Sequence, residues 1–299
     1  MALTVIGGSN FLGRFLIRSL AEKYTEIRLG DMYPFRDSVY RLQEEISTPI
    51  VKHPLLYPTN LRLALDGAQD VIILTHDYFK LAHSKLFFVE RTVDFAKKFG
   101  VKRLYWVAPM ELNQLNKLDG DPHELIKKTE SYVEKTFPEI SILKTNLIFG
   151  KNCMSLVMQE ALRNIEEDQT VISNNNGHSK FNPVYEGDLL HAFQKLEPGD
   201  RAKLAGPEKL HWRNICQILA EHVGKPEPTH NTSIKQWLAT CNYTGDLFYP
   251  SHLQQFYRLL DKDGVTQATE TGQTKMSEVL KPKEYQPFPP IHTHRVVID

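Results

Sequence analysis

Apolar residues along the first half of the chain come in two alternating rhythms. Short, nearly continuous runs read as strands: LTVIG (Leu3–Gly7), EIRLGD ending at Asp31, IVKHPLLY, DVIILTH, KRLYWVA and ISILKTNLIFG. Between them stand stretches with helical spacing. FLGRFLIRSLAEKY places Phe11, Phe15 and Leu16 on one face, with Leu20 close to it. SVYRLQEEI is a weaker helix. TNLRLALDGA predicts a helix capped by Thr59 or Asn60 and stopped at Gly67. SKLFFVERTVDFAKKFG is amphipathic and stops at Gly100, and ELIKKTESYVEKTF is a further helix. Strands separated by helix-length segments pair in parallel, with crossovers on the faces of the sheet. A sheet covered on both faces accounts for the unbroken apolar runs.

The predicted class is therefore α/β, a Rossmann-type doubly wound parallel sheet over residues 1–150. Regularity loosens after Gly150. SLVMQEALRNIEE and HWRNICQILAEHVG read as helices, NNNGHS as a turn or loop, and FNPVYEGDLLHAFQKL as a short strand followed by a helix opening near Asp188. A smaller C-terminal α/β subdomain is expected over 151–264, with 181–196 returning to the first domain. The remaining stretch, 265–299, is polar and then proline-rich (LKPKEYQPFPPIHTHRVVID). Little burial is expected of it, so it reads as an extended tail, mobile or ordered on another surface.

Composition narrows the function classes. The chain has 299 residues, with 36 basic and 36 acidic side chains, and this balance gives no electrostatic case for nucleic acid. No apolar run approaches the roughly 18–20 residues of a membrane span. Cys153, Cys216 and Cys241 are scattered, which argues for a reducing compartment and against a disulfide framework or a zinc site. His292 and His294 have no acidic or thiol companions, so no metal is expected. The first strand begins at Leu3, which leaves no room for a cleavable leader. Either the protein is made and used in one compartment, or its targeting information is internal or already removed.

Chemistry concentrates at the first strand–helix junction. Gly7, Gly8, Ser9, Asn10, Phe11, Leu12 and Gly13 form the candidate cofactor loop. In such loops one glycine makes the turn, one lets backbone approach a pyrophosphate, and one lets helix pack on strand. Gly7 and Gly13 suit the first and last tasks. Asn10 stands where the middle glycine would help most; asparagine tolerates left-handed backbone, so the turn survives while phosphate space shrinks. Asp31, ending the second strand, can accept from ribose hydroxyls and would repel a 2′-phosphate; Arg36 nearby would favour the phosphorylated cofactor. A solvated loop charge is the plain alternative for both. His76 follows the fourth strand at the ligand-binding edge, with a plain loop as its alternative.

The segments VIGGSNFLGRFL, DVIILTH, GVKRLYWVA, FPEISILKTNLIFG and NPVYEGDLLHAF, over roughly residues 3–220, resemble the extended and atypical short-chain dehydrogenase/reductases. Within that superfamily the chain is most similar to the alpha subcomplex subunit 9 type of accessory subunit of mitochondrial complex I, the NADH:ubiquinone oxidoreductase. The stretch FPEISILKTNLIFGK is the most telling, although Thr145 replaces the proline of the related pattern. Relatives carry glycine at the position of Asn10 and often an acid where this chain reads LLYPTN.

The resemblance implies a catalytic serine or threonine near Ala108 or Pro109, and a tyrosine four residues before a lysine on the helix DPHELIKKTESYVEK. The tyrosine would move the proton at the substrate oxygen, helped by the lysine. Neither Ala108 nor Pro109 has a hydroxyl. Counting back from Lys127 gives His123, and from Lys128 gives Glu124; aligning Glu130 puts Ile126 at the lysine and Pro122 at the tyrosine. Lys127 could still touch a ribose, with an exposed helical lysine as the alternative. The reading that follows is a non-catalytic accessory subunit of complex I, peripheral on the matrix side of the mitochondrial inner membrane. It would contact other matrix-arm subunits, with peripheral lipid contact open. NAD(H) or NADP(H), the former favoured by Asp31, would serve as a structural brace if bound. Two alternatives stand beside it: a soluble NAD(P)-binding regulatory protein, and an active NAD(P)-dependent reductase or epimerase with a rearranged site.

Overall fold

Strand propensity and glycine punctuation translate directly into an eight-stranded sheet. The computed structural model describes residues 1–32, 34–35, 37–55, 57–75, 83–109, 122–145, 147–168, 170–173, 177–231 and 268–281. In chain order the first half runs β1 (Ala2–Ile6), α1 (Phe11–Leu20), β2 (Glu26–Asp31), α2 (Asp37–Glu45), β3 (Ile50–Pro54), α3 (Pro58–Leu65), β4 (Asp70–Leu74), α4 (His83–Phe99), β5 (Arg103–Pro109), α5 (Pro122–Thr136) and β6 (Ser141–Thr145). The second half adds β7 (Ile148–Phe149), α6 (Leu156–Glu166), β8 (Val171–Ile172), β9 (Lys180–Phe181), β10 (Val184–Tyr185), α7 (Glu186–Lys195), β11 (Arg201–Ala205), β12 (Leu210–His211), α8 (Trp212–His222), β13 (His230–Asn231), β14 (Glu270–Thr271) and a single turn, Met276–Val279.

The main sheet has the order β14-β11-β6-β5-β4-β1-β2-β3, and every pairing in it is parallel. Order reverses between β1 and β4, the switch point at which open α/β sheets bind ligands beyond the carboxyl ends of their strands. Side chains alternate across the sheet with period two. Leu3, Val5, Ile72, Leu74, Val107 and Leu143 face a core built with α1, α2 and α7. Ile6, Val71, Ile73, Trp106, Ala108 and Ile142 face a core with α3, α4 and α5. A third core joins α6 and α8 through Met158, Leu162, Trp212 and Leu219.

Three local expectations change. The cap of α3 is Tyr57, with Pro58 in the first turn, because a proline there lacks only an N–H that the helix would leave unpaired. Asn60 instead donates to the Pro54 carbonyl, 2.7 Å away. Helix α7 opens at Glu186, ahead of Asp188. The stretch beyond Thr266 does bury side chains. Residues 268–281 return to the sheet, β14 pairs with β11, and Met276 and Leu280 are 1% and 4% exposed. Asp188 secures the return by accepting from the Gln273 and Thr274 main-chain N–H groups, each at 2.9 Å. The proline-rich end, 282–299, lies outside the described residues. Among the described residues no helix is long and apolar enough to cross a membrane.

Candidate functional site

The glycine loop leaves β1 at Gly7, whose φ is +79° and whose N–H donates to the Gly30 carbonyl at 2.7 Å. A Cβ there would lie 2.9 Å from the Leu74 carbonyl oxygen. At Gly13 a Cβ would lie 2.5 Å from the Gly8 Cα, so helix α1 can sit this close to the loop only without a side chain. Asn10 does not act as a left-handed substitute for glycine. Its φ and ψ are −75° and 174°, and its side-chain oxygen accepts the Gly13 N–H at 2.7 Å. It is the N-cap of α1, and it takes one of the amide donors that a helix start otherwise offers to an anion.

At the end of β2 a polar corner is built from residues distant in sequence. Ser9 donates its hydroxyl to Asp31 Oδ2 at 2.6 Å, and its main-chain N–H lies 3.2 Å from the same oxygen. Arg14 folds back over this corner, donating to the Ser9 carbonyl at 2.8 Å and to the Ser38 hydroxyl at 3.2 Å. Of the sequence-derived candidates, Gly7 through Gly13 and Asp31 come together here. Arg36 and His76 lie outside the described residues. Lys127 is exposed on α5.

Across the switch point, β5 ends at Ala108 and Pro109, both buried and without a hydroxyl. On α5, Ile126 is 2% exposed within the apolar core, and one turn later Glu130 pairs with Lys144 of β6 at 2.5 Å. Both charges are largely buried, with side-chain exposures of 14% and 9%, so each depends on the other. Tyr132 lies on the exposed side of the helix and donates to Asp94 at 2.5 Å. Cys153 and Cys216 are buried, and burial pushes their thiols well above the ordinary range. Cys241 lies outside the described residues.

A polar cavity of about 500 Å³ opens in the C-terminal half, between His178, Arg213, Glu227 and His230. Arg213 donates to Glu227 at 2.5 Å, and burial pushes the His230 imidazole below its ordinary value. No spacing rule brings these residues together; Arg213 comes from the first turn of α8 and His230 from β13.

No family model and no curated protein matches the chain. Solved structures do match it. The dTDP-glucose 4,6-dehydratase DesIV of Streptomyces venezuelae, solved with NAD and TYD bound, is similar with a TM-score of 0.66 at 16% identity, covering 95% of each chain. The shared fold is a Rossmann-like α/β fold. WbmH of Bordetella bronchiseptica, in complex with NAD+, gives a TM-score of 0.65 at 12% identity over 95% of this chain and 99% of its own. UDP-glucuronic acid 4-epimerase of Bacillus cereus, in complex with UDP-glucuronic acid and NAD, gives 0.62 at 14% identity over 87% and 99%.

This comparison corrects the expectation that the chain is not an enzyme. The structures that share its fold over most of its length are epimerases and dehydratases. The expectation rested on a missing serine and a missing Tyr-x-x-x-Lys pair. That absence removes one way of moving a proton, but it leaves intact the sheet edge at which such enzymes hold cofactor and substrate.

Proposed function

We propose that the chain is a nicotinamide-dinucleotide-dependent reductase or epimerase of the extended short-chain dehydrogenase type with a rearranged proton-transfer site. The observation that carries this reading is the corner where Ser9 orients the Asp31 carboxylate beside a glycine turn whose Gly7 and Gly13 positions no side chain could occupy. The donors there fit a dinucleotide. Asp31 can accept from the adenosine ribose hydroxyls and disfavours a 2′-phosphate. The start of α1 faces the diphosphate position, with the Gly13 N–H already taken by Asn10. When bound, the nicotinamide supplies reversible hydride transfer. On this chain Ser9 holds the ribose-binding carboxylate in place, and the Lys144–Glu130 pair packs α5 against β6 beside the site.

Calorimetric titration with NAD+, NADH, NADP+ and NADPH tests the reading, followed by NMR of UDP- and dTDP-hexoses for C4 inversion or dehydration. Saturable binding that favours NADH is expected. Asp31→Ala should weaken NADH about tenfold or more, the loss of a hydrogen bond to a charged group, and narrow the preference over NADPH. No saturable binding of any of the four would defeat the proposal.

We further propose that the chain works as a peripheral subunit on the matrix side of mitochondrial complex I, against other matrix-arm subunits. The similarity of FPEISILKTNLIFGK and the other quoted segments to the accessory-subunit type supports this. Size fractionation of detergent-solubilised mitochondria is the test, and co-migration with the intact complex is expected. Migration as a free protein would remove the partner while leaving the dinucleotide reading untouched.

A further inference from the structure

Glu186 is a carboxylate with an unusual position, 5% exposed at the first residue of α7. Burial pushes it above the ordinary carboxylate range. It faces the main-chain N–H groups of Lys151, Asn152 and Cys153, with Asn152 N 3.0 Å from Oε2. The Asn152 side-chain amide lies 3.4 Å from Oε1. Gly150 is required alongside, because a Cβ there would lie 2.5 Å from Glu186 Cγ. The base of the same loop is closed separately. Ser155 N donates to the Ile148 carbonyl at 2.9 Å, and Ile148 N donates to the Ser155 hydroxyl at 2.7 Å.

The loop so held joins the two halves of the molecule. Ile148 and Cys153 belong to the core that contains Phe11 and Leu12 of the glycine-loop helix. Phe149 and Met154 belong to the core of α6 and α8. Strand β6 runs parallel to β1 in the sheet, so the segment after β6 and the glycine loop after β1 open on the same edge.

We infer that Glu186 is a positioning residue for the dinucleotide crevice: by gathering the N–H groups of residues 151–153 it fixes the loop that seats Cys153 in the core it shares with α1, and so sets dinucleotide affinity. The inference rests on the dinucleotide reading above. A carboxylate suits the task because it presents only acceptors to several converging donors. A glutamine of the same shape would turn an NH2 group toward them.

Hydrogen exchange and NADH calorimetry on the full chain test this with Glu186→Gln. Faster exchange confined to residues 150–154 is expected, with NADH binding weaker by about three- to thirtyfold, the range of couplings carried through packed contacts. Ser155→Ala, which opens the base of the loop instead, should reproduce both effects if the first variant folds poorly. A folded Glu186→Gln protein that binds NADH as tightly as the unaltered chain would overturn the positioning role. If the unaltered chain binds no dinucleotide, both this role and the proposed function fall. A purely structural role would lower the melting temperature of ligand-free protein while leaving NADH affinity unchanged, and this also overturns the inference.

Discussion

A methyl group added at Gly13 would press on the Gly8 main chain, where neither the loop nor α1 has room to yield. Gly13→Ala should therefore cost about 1–3 kcal/mol of stability by overpacking, read from a urea midpoint shifted at constant slope. The need for glycine at positions 7 and 13 was legible in the sequence, because turn and close approach are local demands on a residue without Cβ. The role of Asn10 was not legible. Asparagine serves equally in left-handed turns and as a helix N-cap, and only the extended ψ of 174° decides for the cap. Glu186 was equally hidden: its partner Asn152 lies 34 residues earlier in the chain.

At the scale of elements, the period-two and helical patterns marked the strands and helices well, since each reports how one face is buried. Helix caps were read less well; Tyr57 carries no capping side chain, and proline takes over the start of α3. The amino-terminal edge of the sheet holds a feature that the pattern did not announce. Asp70 at the start of β4 is 2% exposed, accepts from Tyr24 at 2.7 Å, and receives Arg103 from the start of β5 at 2.8 Å. Burial, and next the hydrogen bond to Asp70, raise the Tyr24 hydroxyl well above its ordinary value. The folded phenol thus keeps a proton that the unfolded chain releases near pH 10. This group's contribution is complete below about pH 10 and is lost as pH rises beyond it. Tyr24→Phe should cost about 0.5–1.5 kcal/mol at neutral pH and flatten the alkaline decline, both measurable by urea unfolding from pH 7 to 11.

The whole molecule closes through a return that neither half predicts. Residues 268–281 add β14 to the open side of β11, Asp188 receives their main chain, and Met276 fills the core of α6 and α8. Met276→Ala should cost about 2–4 kcal/mol, seen as a lower melting temperature, because the cavity it leaves lies between packed elements. Composition argued against burial in this stretch because it is polar on average; two apolar residues four positions apart are enough to anchor it once a groove exists. By itself the sequence determined the order of strands and helices, the α/β class and the glycine turn, since these follow from periodicity and backbone freedom over a few neighbouring residues. The tertiary structure alone decided that Ser9 meets Asp31, that Lys144 meets Glu130, that Glu186 holds the loop joining two cores, and that the last described segment comes back to the sheet. Those contacts join residues between 14 and 86 positions apart. At such separations local preference is silent, and packing selects the partner.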